Sequence, residues 1–462
     1  MTYKQAIDHI TECASYGISP GLESITGLCQ RLGDPQDELK FIHIAGTNGK
    51  GSVAAYLSSI FKSAGLKVGR YISPTISDYL ERFDINGRCM TKKDFARYMD
   101  IVRPVCDAMT AEGLDHPTPF EMETAIAFLY FREKNCDIVV LECGMGGRLD
   151  ATNIVRNKLS CVFAHIDMDH MQYLGDTVDK IASEKAGIIT DTVPVITGPQ
   201  YEAVMKVLRK AAVDHDADIY TVKDDKDVIP APGVREMSSY ISGVKINLRG
   251  GSFYMSDEPG KRKYKTPLLG THQIINSAVA VRCAQAVREA CEDGRYDIDD
   301  DLRARIIKGL TEESIAAGLK NVKWPARLQI ISTKPLTVID GAHNPDAAAR
   351  LKESLDELIP GRDRILIMGM LKDKDAEKVA DIMCRDAMMV FTVTPPDNPR
   401  AMRSPDLARI VSGYNPRVTS LDSVEEAVEM ARMFAVQNDN SVIIAFGSLS
   451  YMGRMLKIYN VK

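Results

Sequence analysis

Residues suited to holding a phosphate chain cluster in one stretch, Phe41-Ile42-His43-Ile44-Ala45-Gly46-Thr47-Asn48-Gly49-Lys50-Gly51-Ser52. Apolar and β-branched residues run into a glycine-rich turn, and Val53, Tyr56, Leu57, Ile60, Phe61 and Ala64 then recur at helical spacing. Strand, glycine turn and helix form the layout in which backbone N–H groups and a helix N-terminus hold phosphates. Thr47, Asn48, Gly49, Lys50, Gly51 and Ser52 are therefore candidate nucleotide-binding residues. Lys50 would bring positive charge to the β/γ-phosphates, and the Ser52 hydroxyl could bind Mg²⁺. The spacing departs from GxxxxGK[ST], because the first glycine is closer and Gly51 separates Lys50 from Ser52. The plainer alternative is an ordinary glycine turn; the flanking strand and helix favour the phosphate loop.

In open parallel sheets, ligands collect at the carboxyl ends of strands. Three more apolar runs end in polar groups: Lys67–Ser73 in Ser73, Asp137–Cys143 in Glu142, and Ser160–Ile166 in Asp167-Met168-Asp169-His170. Ser73, Glu142 and His170 could then converge beside Lys50. Magnesium prefers oxygen, so His170 is either an unusual ligand or a histidine satisfied by hydrogen bonds and oriented by Asp169. An ionised Glu142 after a buried strand needs a cation or a donor. Asp340-Gly341-Ala342-His343-Asn344-Pro345 repeats the strand-then-turn arrangement. Asn344 before Pro345 fits a helix cap, while Asp340 and His343 could face a cleft that Arg327 reaches across to a phosphate.

The elements that must position these groups follow from periodicity. Apolar strands alternating with helices over residues 41–200 predict a parallel sheet covered on both faces. Residues 1–40 read as helical until Gly33-Asp34-Pro35 breaks the pattern, and residues 91–112 read as helical again. At Thr118-Pro119-Phe120-Glu121 an N-cap, a first-turn proline and a capping-box glutamate coincide. From about 215 to 265 the texture changes, and residues 247–254 resemble a hairpin, so a small antiparallel patch is expected. Helical signal returns at 276–290 and 301–310. Asn321–Arg327 is the candidate linker, beyond which strands are expected at 336–340, 365–368, 388–393 and 442–446. Two domains follow, 1–322 and a smaller α/β domain, 323–462.

With 462 residues, two or three domains are the natural expectation. A formal net charge of −5 argues against nucleic acid or an anionic membrane as the main partner. No apolar run approaches a membrane span, and the first residues lack a signal peptide's apolar core. Ten cysteines without a CxxC read as reduced thiols, and the expected compartment is the cytoplasm.

Taken together, these residues resemble the folylpolyglutamate synthase/dihydrofolate synthase family, ATP-dependent ligases related to the Mur ligases. The match includes His43–Ser52, Ser73-Pro74 with Glu81-Arg82, Phe120-Glu121, Gly144–Asn153, Asp169-His170 and Ser183–Ile189. It continues through Leu269–Gln273 with Asn276, Trp324–Leu328, Asp340–Pro345 and Asp373-Lys374-Asp375. The resemblance implies a P-loop-type ATPase domain followed by a Rossmann-like domain. It implies that Asn48 to Gly51 hold ATP phosphates, that Asn276, Arg327, Asp340 and His343 make further ATP contacts, and that Ser73, Glu142 and His170 ligate Mg²⁺. Thr118, Pro119, Phe120 and Glu121, with Leu149, Asp150 and Ala151, resemble segments that hold the pterin substrate. Lys185 matches a lysine that is carbamylated in this family; the alternative is a surface lysine paired with Glu184. Lys50, His170 and Lys185 are the expected catalytic groups. The usual Ser-Pro-His/Tyr-Leu reads Ser73-Pro74-Thr75-Ile76 here, and Thr190 and Ala326 replace a common lysine and glycine.

The implied reaction is phosphorylation of a pterin-linked carboxylate, then attack by the amine of L-glutamate on the acyl phosphate. Dihydropteroate and reduced folates are the expected acceptors of a bifunctional, monomeric enzyme. Its rivals are a Mur-type ligase of peptidoglycan precursors and a nucleotide-dependent regulatory protein without turnover. A GTPase switch is weaker, since no Asn-Lys-x-Asp sequence occurs.

Overall fold

Phe41–Ala45, Ile138–Glu142 and Lys158–Phe163 are buried at every position, which only strands covered on both faces can sustain. The computed structural model describes residues 1–14, 21–223, 234–257 and 260–461. Parts of the expected helical stretch 1–40 and of the 215–265 region, namely 15–20, 224–233 and 258–259, lie outside the described residues.

The first sheet comprises β1 (Phe41–Ala45), β2 (Val68–Tyr71), β3 (Phe83–Ile85), β4 (Arg88–Cys89), β5 (Ile138–Glu142) and β6 (Lys158–Phe163). It continues with β7 (Val195–Thr197), β8 (Ile219–Lys223), β9 (Glu236–Asn247), β10 (Gly250–Asp257) and β11 (Gly260–Thr266). Their order is β11-β10-β9-β8-β7-β6-β1-β5-β2-β3-β4. All pairs from β9 across to β2 are parallel. Because β1 lies between β5 and β6, residues following three neighbouring carboxyl ends open into one crevice.

The expected antiparallel patch is present and belongs to this sheet. β9, β10 and β11 extend one edge of this sheet, and β2, β3 and β4 form a second antiparallel edge that periodicity did not announce. Two- and three-residue strands are too short to carry an alternating pattern. Helices Lys50–Ser63, Thr271–Glu292 and Glu312–Asn321 pack with one face of the sheet. Helices Lys92–Ala111 and Pro119–Glu133 cover the other. The helix expected from Asn276 begins at Thr271, so Asn276 sits in its second turn.

Past the irregular residues 322–328 lies a second sheet of β12 (Gln329–Thr333), β13 (Leu336–Ile339), β14 (Asp363–Met368), β15 (Met389–Thr392), β16 (Val418–Ser420) and β17 (Ser441–Phe446). Its order is β12-β13-β17-β14-β15-β16, parallel except for β12, with an apolar layer on each face. Strands β12 and β16 escape a sequence reading because they are half-exposed and largely polar. Among the described residues no helix is long and apolar enough to cross a membrane.

The helix after the phosphate loop is pinned by a close backbone approach. A Cβ on Gly318 would lie 2.4 Å from Ile60 Cα, and the Ser59 hydroxyl donates to Gly318 O at 2.7 Å. Alanine has the better helix propensity by about 1 kcal/mol, but here it must push two helices apart. Gly318→Ala is expected to destabilise the protein by about 1–3 kcal/mol in urea unfolding; a gain in stability would show that the helices separate freely.

Candidate active site

The turn after β1 is held from the side of β6. Thr47 and Asn48 N–H donate to His165 O at 2.8 and 3.1 Å. The Thr47 hydroxyl donates to Asp167 O and accepts from Asp167 N–H, so this side chain builds the loop rather than facing a ligand. Gly49 has φ +93°, and a Cβ there would meet Asn276 Oδ1 at 2.8 Å, which brings that amide onto the loop. Lys50 opens the helix and folds back, its Nζ 3.1 Å from Gly46 O.

Around this turn is a cavity of about 130 Å³ lined by Lys50, Ser73, Glu142, His170, Lys185, Arg327 and His343, among others. The expected convergence of Ser73, Glu142 and His170 beside Lys50 is therefore met. Ser52 is the exception. It lines an adjoining cavity of about 80 Å³, and its hydroxyl accepts from Gln273 Nε2 at 3.2 Å. Gly51, not Ser52, lines the cavity with Glu142, and a Cβ on Gly51 would lie 3.6 Å from Glu142 Oε2. Asn276, Arg327, Asp340 and His343 line that same adjoining cavity together with Asn48 and Gly49.

Burial sets the charges here. Glu142 is only 5% exposed, and desolvation pushes its carboxyl up to about 7 despite the opposing cations Lys50 and Arg327. Lys185 is buried, not paired with Glu184 at the surface. Its Nζ donates to Gly46 O at 2.9 Å, while Glu184 faces Arg148. Burial, reinforced by Lys50, brings the Lys185 ammonium down to about 7. His343 donates Nδ1–H to Gly341 O at 2.8 Å, and burial followed by the charge of Lys374 lowers it to about 4, so it is neutral at pH 7. Asp340 accepts from Leu328 and Ala342 N–H, both at 2.7 Å, which fixes the linker's end and with it Arg327. His170, at φ +50°, places Nε2 4.0 Å from Asp169. Burial opposes the Asp169 charge, but Lys374 outweighs it and holds that carboxyl well below the usual range.

Sequence reasoning missed the polar seam between the two sheets. Asn48 Nδ2 donates to Asp346 Oδ2 at 2.8 Å and to Asn344 Oδ1 at 3.2 Å, and Asn344 Nδ2 returns a bond to Asn48 Oδ1. Lys374 Nζ donates to Asp169 at 2.8 Å. Asn344 does cap its helix: its Oδ1 accepts from Ala347 N–H at 2.9 Å, which leaves its amide N to donate across the seam. No spacing rule links residues nearly 300 apart.

A larger cavity, about 550 Å³, is lined by Thr118, Pro119, Phe120, Glu121, Leu149, Asp150 and Ala151, with Ser73, Gly144, Met145 and Arg400. Ser73, Gly144 and Met145 also line the smaller cavity at Lys50, so the two adjoin. The capping box is present: Thr118 accepts from Glu121 N–H, and Glu121 Oε2 accepts from Thr118 N–H. Glu121 thus shapes the wall, while Phe120 packs on Gly144, where a Cβ would lie 2.6 Å from its ring.

The Mur ligase middle domain matches residues 44–284, and the Mur ligase glutamate ligase domain matches residues 326–449. A Mycobacterium tuberculosis dihydrofolate synthase/folylpolyglutamate synthase is 32% identical over 431 residues, covering 90% of this chain and 82% of the relative. The chain belongs to the folylpolyglutamate synthase/dihydrofolate synthase family. Members are ATP-dependent glutamate ligases, and so is this chain. The dihydrofolate synthase/folylpolyglutamate synthase of Bacillus subtilis is 29% identical over 463 residues, covering 98% of each. A crystal structure of Mycobacterium tuberculosis folylpolyglutamate synthase complexed with ADP and AMPPCP superposes with TM-score 0.84 at 26% identity, over 99% of both chains. The ligase spans about half the length of relatives from Haloferax volcanii and Halobacterium salinarum named as probable bifunctional folylpolyglutamate synthase/dihydropteroate synthases.

Glu142 gives this ligase a pH-dependent weakness. Burial holds its carboxyl at about 7, above the 4.5 of an exposed glutamate. The native state therefore binds more protons between those values, and stability falls as pH rises through that window. Removing the charge should reverse the loss. Glu142→Gln is expected to stabilise the ligand-free protein by on the order of 3 kcal/mol at pH 8, with the advantage vanishing below pH 4.5. Urea titrations at several pH values would read this directly; an advantage independent of pH would contradict it.

Proposed function

We propose that this ligase joins L-glutamate to dihydropteroate and to reduced folates through an acyl phosphate, working as a cytoplasmic monomer with its domains divided at residues 322 and 323. The observation that carries the reading is the adjoining pair of cavities. All seven residues expected to hold a pterin line the larger one, and it shares Ser73, Gly144 and Met145 with the cavity at Lys50 and Glu142.

In this reading ATP phosphates lie along Asn48–Gly51, and Asn276, Arg327, Asp340 and His343 surround the rest of the nucleotide. Ser73, Glu142 and His170 would hold Mg²⁺, and a dry carboxylate beside a hydroxyl suits a cation. Held there, a divalent cation would supply positive charge against the phosphates. Lys50 and Arg327 bring fixed positive charge to the γ-phosphoryl as it leaves ADP for the acceptor carboxylate. The glutamate amine then attacks the acyl carbon, the C–N bond forms, the carbon–oxygen bond to phosphate breaks, and the amine's proton passes to solvent as phosphate departs. The contacts of Asn48 with Asn344 and Asp346, and of Asp169 with Lys374, would keep water from the acyl phosphate. Lys185, poised at about 7, supplies the neutral amine that can add CO₂ and become a carbamate anion, releasing a proton.

Phosphate release with Mg-ATP, L-glutamate and either dihydropteroate or a reduced folate tests the proposal, with products identified by mass. Turnover with both acceptors, each requiring glutamate, is expected. Lys50→Ala should lower kcat at least about 10²–10³-fold. Asp150→Asn should raise KM for the acceptor while leaving KM for ATP unchanged. Silence with both acceptors in protein that still binds ATP would overturn the assignment and favour a peptidoglycan-precursor acceptor or a non-catalytic role.

A further inference from the structure

Away from the nucleotide, three side chains turn their soft donor atoms toward one another. His9 and Cys13 are four residues apart on helix Tyr3–Cys13, and so share a face. Cys13 Sγ lies 3.7 Å from His9 Nε2. His116, in the segment before helix Pro119–Glu133, meets the His9 ring edge-on with centroids 6.4 Å apart. One donor atom from each of the three falls within 4.8 Å of the others.

We infer that His9, Cys13 and His116 form a site for a tetrahedral divalent cation of the zinc type, with water in the fourth position. Metal–sulfur and metal–nitrogen bonds of tetrahedral zinc put S and N ligands about 3.6 Å apart, close to the spacing between Cys13 and His9. His116 Nδ1 lies 2.7 Å from Pro117 O. Donation to that carbonyl selects the tautomer with its lone pair on Nε2 and fixes the ring, as an outer-sphere partner does for a metal-bound histidine. One thiolate with two imidazoles favours zinc over the hard cations that carboxylates prefer. Arg103 and Asp107 on the neighbouring helix, together with Glu12, are the charged groups that act on His9 and Cys13. Binding forms the metal–sulfur bond and releases the Cys13 proton to solvent.

The placement gives the cation a consequence. Ala14, next to Cys13, and Thr118, two residues past His116, both line the 550 Å³ cavity. A bound ion would tie these two walls of the cavity together. This consequence rests on the acceptor reading of the cavity; the coordination does not.

Co²⁺ titration of the chelator-treated full chain, in excess Mg-ATP to fill the catalytic centre, tests the site. The expected result is one equivalent bound with a thiolate-to-cobalt charge-transfer band, tetrahedral d–d intensity, and displacement by Zn²⁺. Cys13→Ser should abolish the band. His9→Gln and His116→Gln should each raise the dissociation constant by more than about 10-fold. His116 lies outside any helix, so its variant keeps the test usable if Cys13→Ser fails to fold. Absence of the band, or a band and affinity unchanged in His116→Gln, would overturn the inference. The readout needs no turnover, so it stands or falls separately from the folate assignment.

Discussion

The structure depends on a carboxylate that has been taken out of water. Glu142 ends a central strand with sheet on both sides and protein above and below, and an isolated ionised carboxyl there would cost several kcal/mol. Lys50 and Arg327 each lower that cost, but not enough to restore an ordinary pKa. The site is therefore electrostatically incomplete by construction. A group that brings positive charge gains affinity from relieving this desolvation. The same burial that weakens the free protein thus selects what binds.

Completing the site requires both sheets. Lys50 and Glu142 come from the first, Arg327 from the linker's end, and His343 from the turn after β13. Asp340, at the end of β13, accepts from Leu328 N–H beside Arg327 and from Ala342 N–H in its own turn, which ties the linker's end to the second sheet. Across the cleft, Asn48 meets the Asn344 cap and Asp346 of the following helix. The phosphate loop and that helix N-terminus are consequently in direct contact. The loop is therefore tied to the second domain through Asn48, and it faces Arg327 and His343 across the shared cavity.

The parts legible in the sequence are those whose signal is local. Gly46–Ser52 between an apolar strand and a periodic helix announces a phosphate loop, and Thr118–Glu121 announces its capping box. The parallel core was readable because β1, β5 and β6 are mostly apolar runs, whereas β3, β4, β12 and β16 are short or half-exposed. Ser73, Glu142 and His170 could be grouped because each follows a predicted strand. Lys185 could not be placed by physical pattern: it shares the buried face of a nine-residue helix with Ile181, Ala182 and Ala186, where a lysine is not expected. The Asn48–Asn344 and Asp169–Lys374 seam lies beyond any local rule, because its register is set by the packing of two separate sheets.

The two strands that end at the phosphate loop and at Glu142 also orient the neighbouring cavity. His43 in β1 and Cys143 just past β5 meet beneath it, with Cys143 Sγ 3.1 Å from His43 Nε2. That imidazole is also 2.8 Å from the Thr152 hydroxyl, which in turn lies 2.5 Å from Asp150 Oδ1. A hydroxyl that donates to Asp150 must accept from His43, so Nε2 carries the proton and burial keeps the ring neutral. Met145 and Thr152 N–H complete the carboxylate's shell. Asp150 is therefore aimed by a rigid chain of bonds rooted in the floor of the sheet. The carboxylate facing one cavity and the loop facing the other share β1 as their support. The Asp150 wall of one cavity and the loop lining the other are thus both tied to β1, a preorganised frame of the kind that transfer between two bound groups requires.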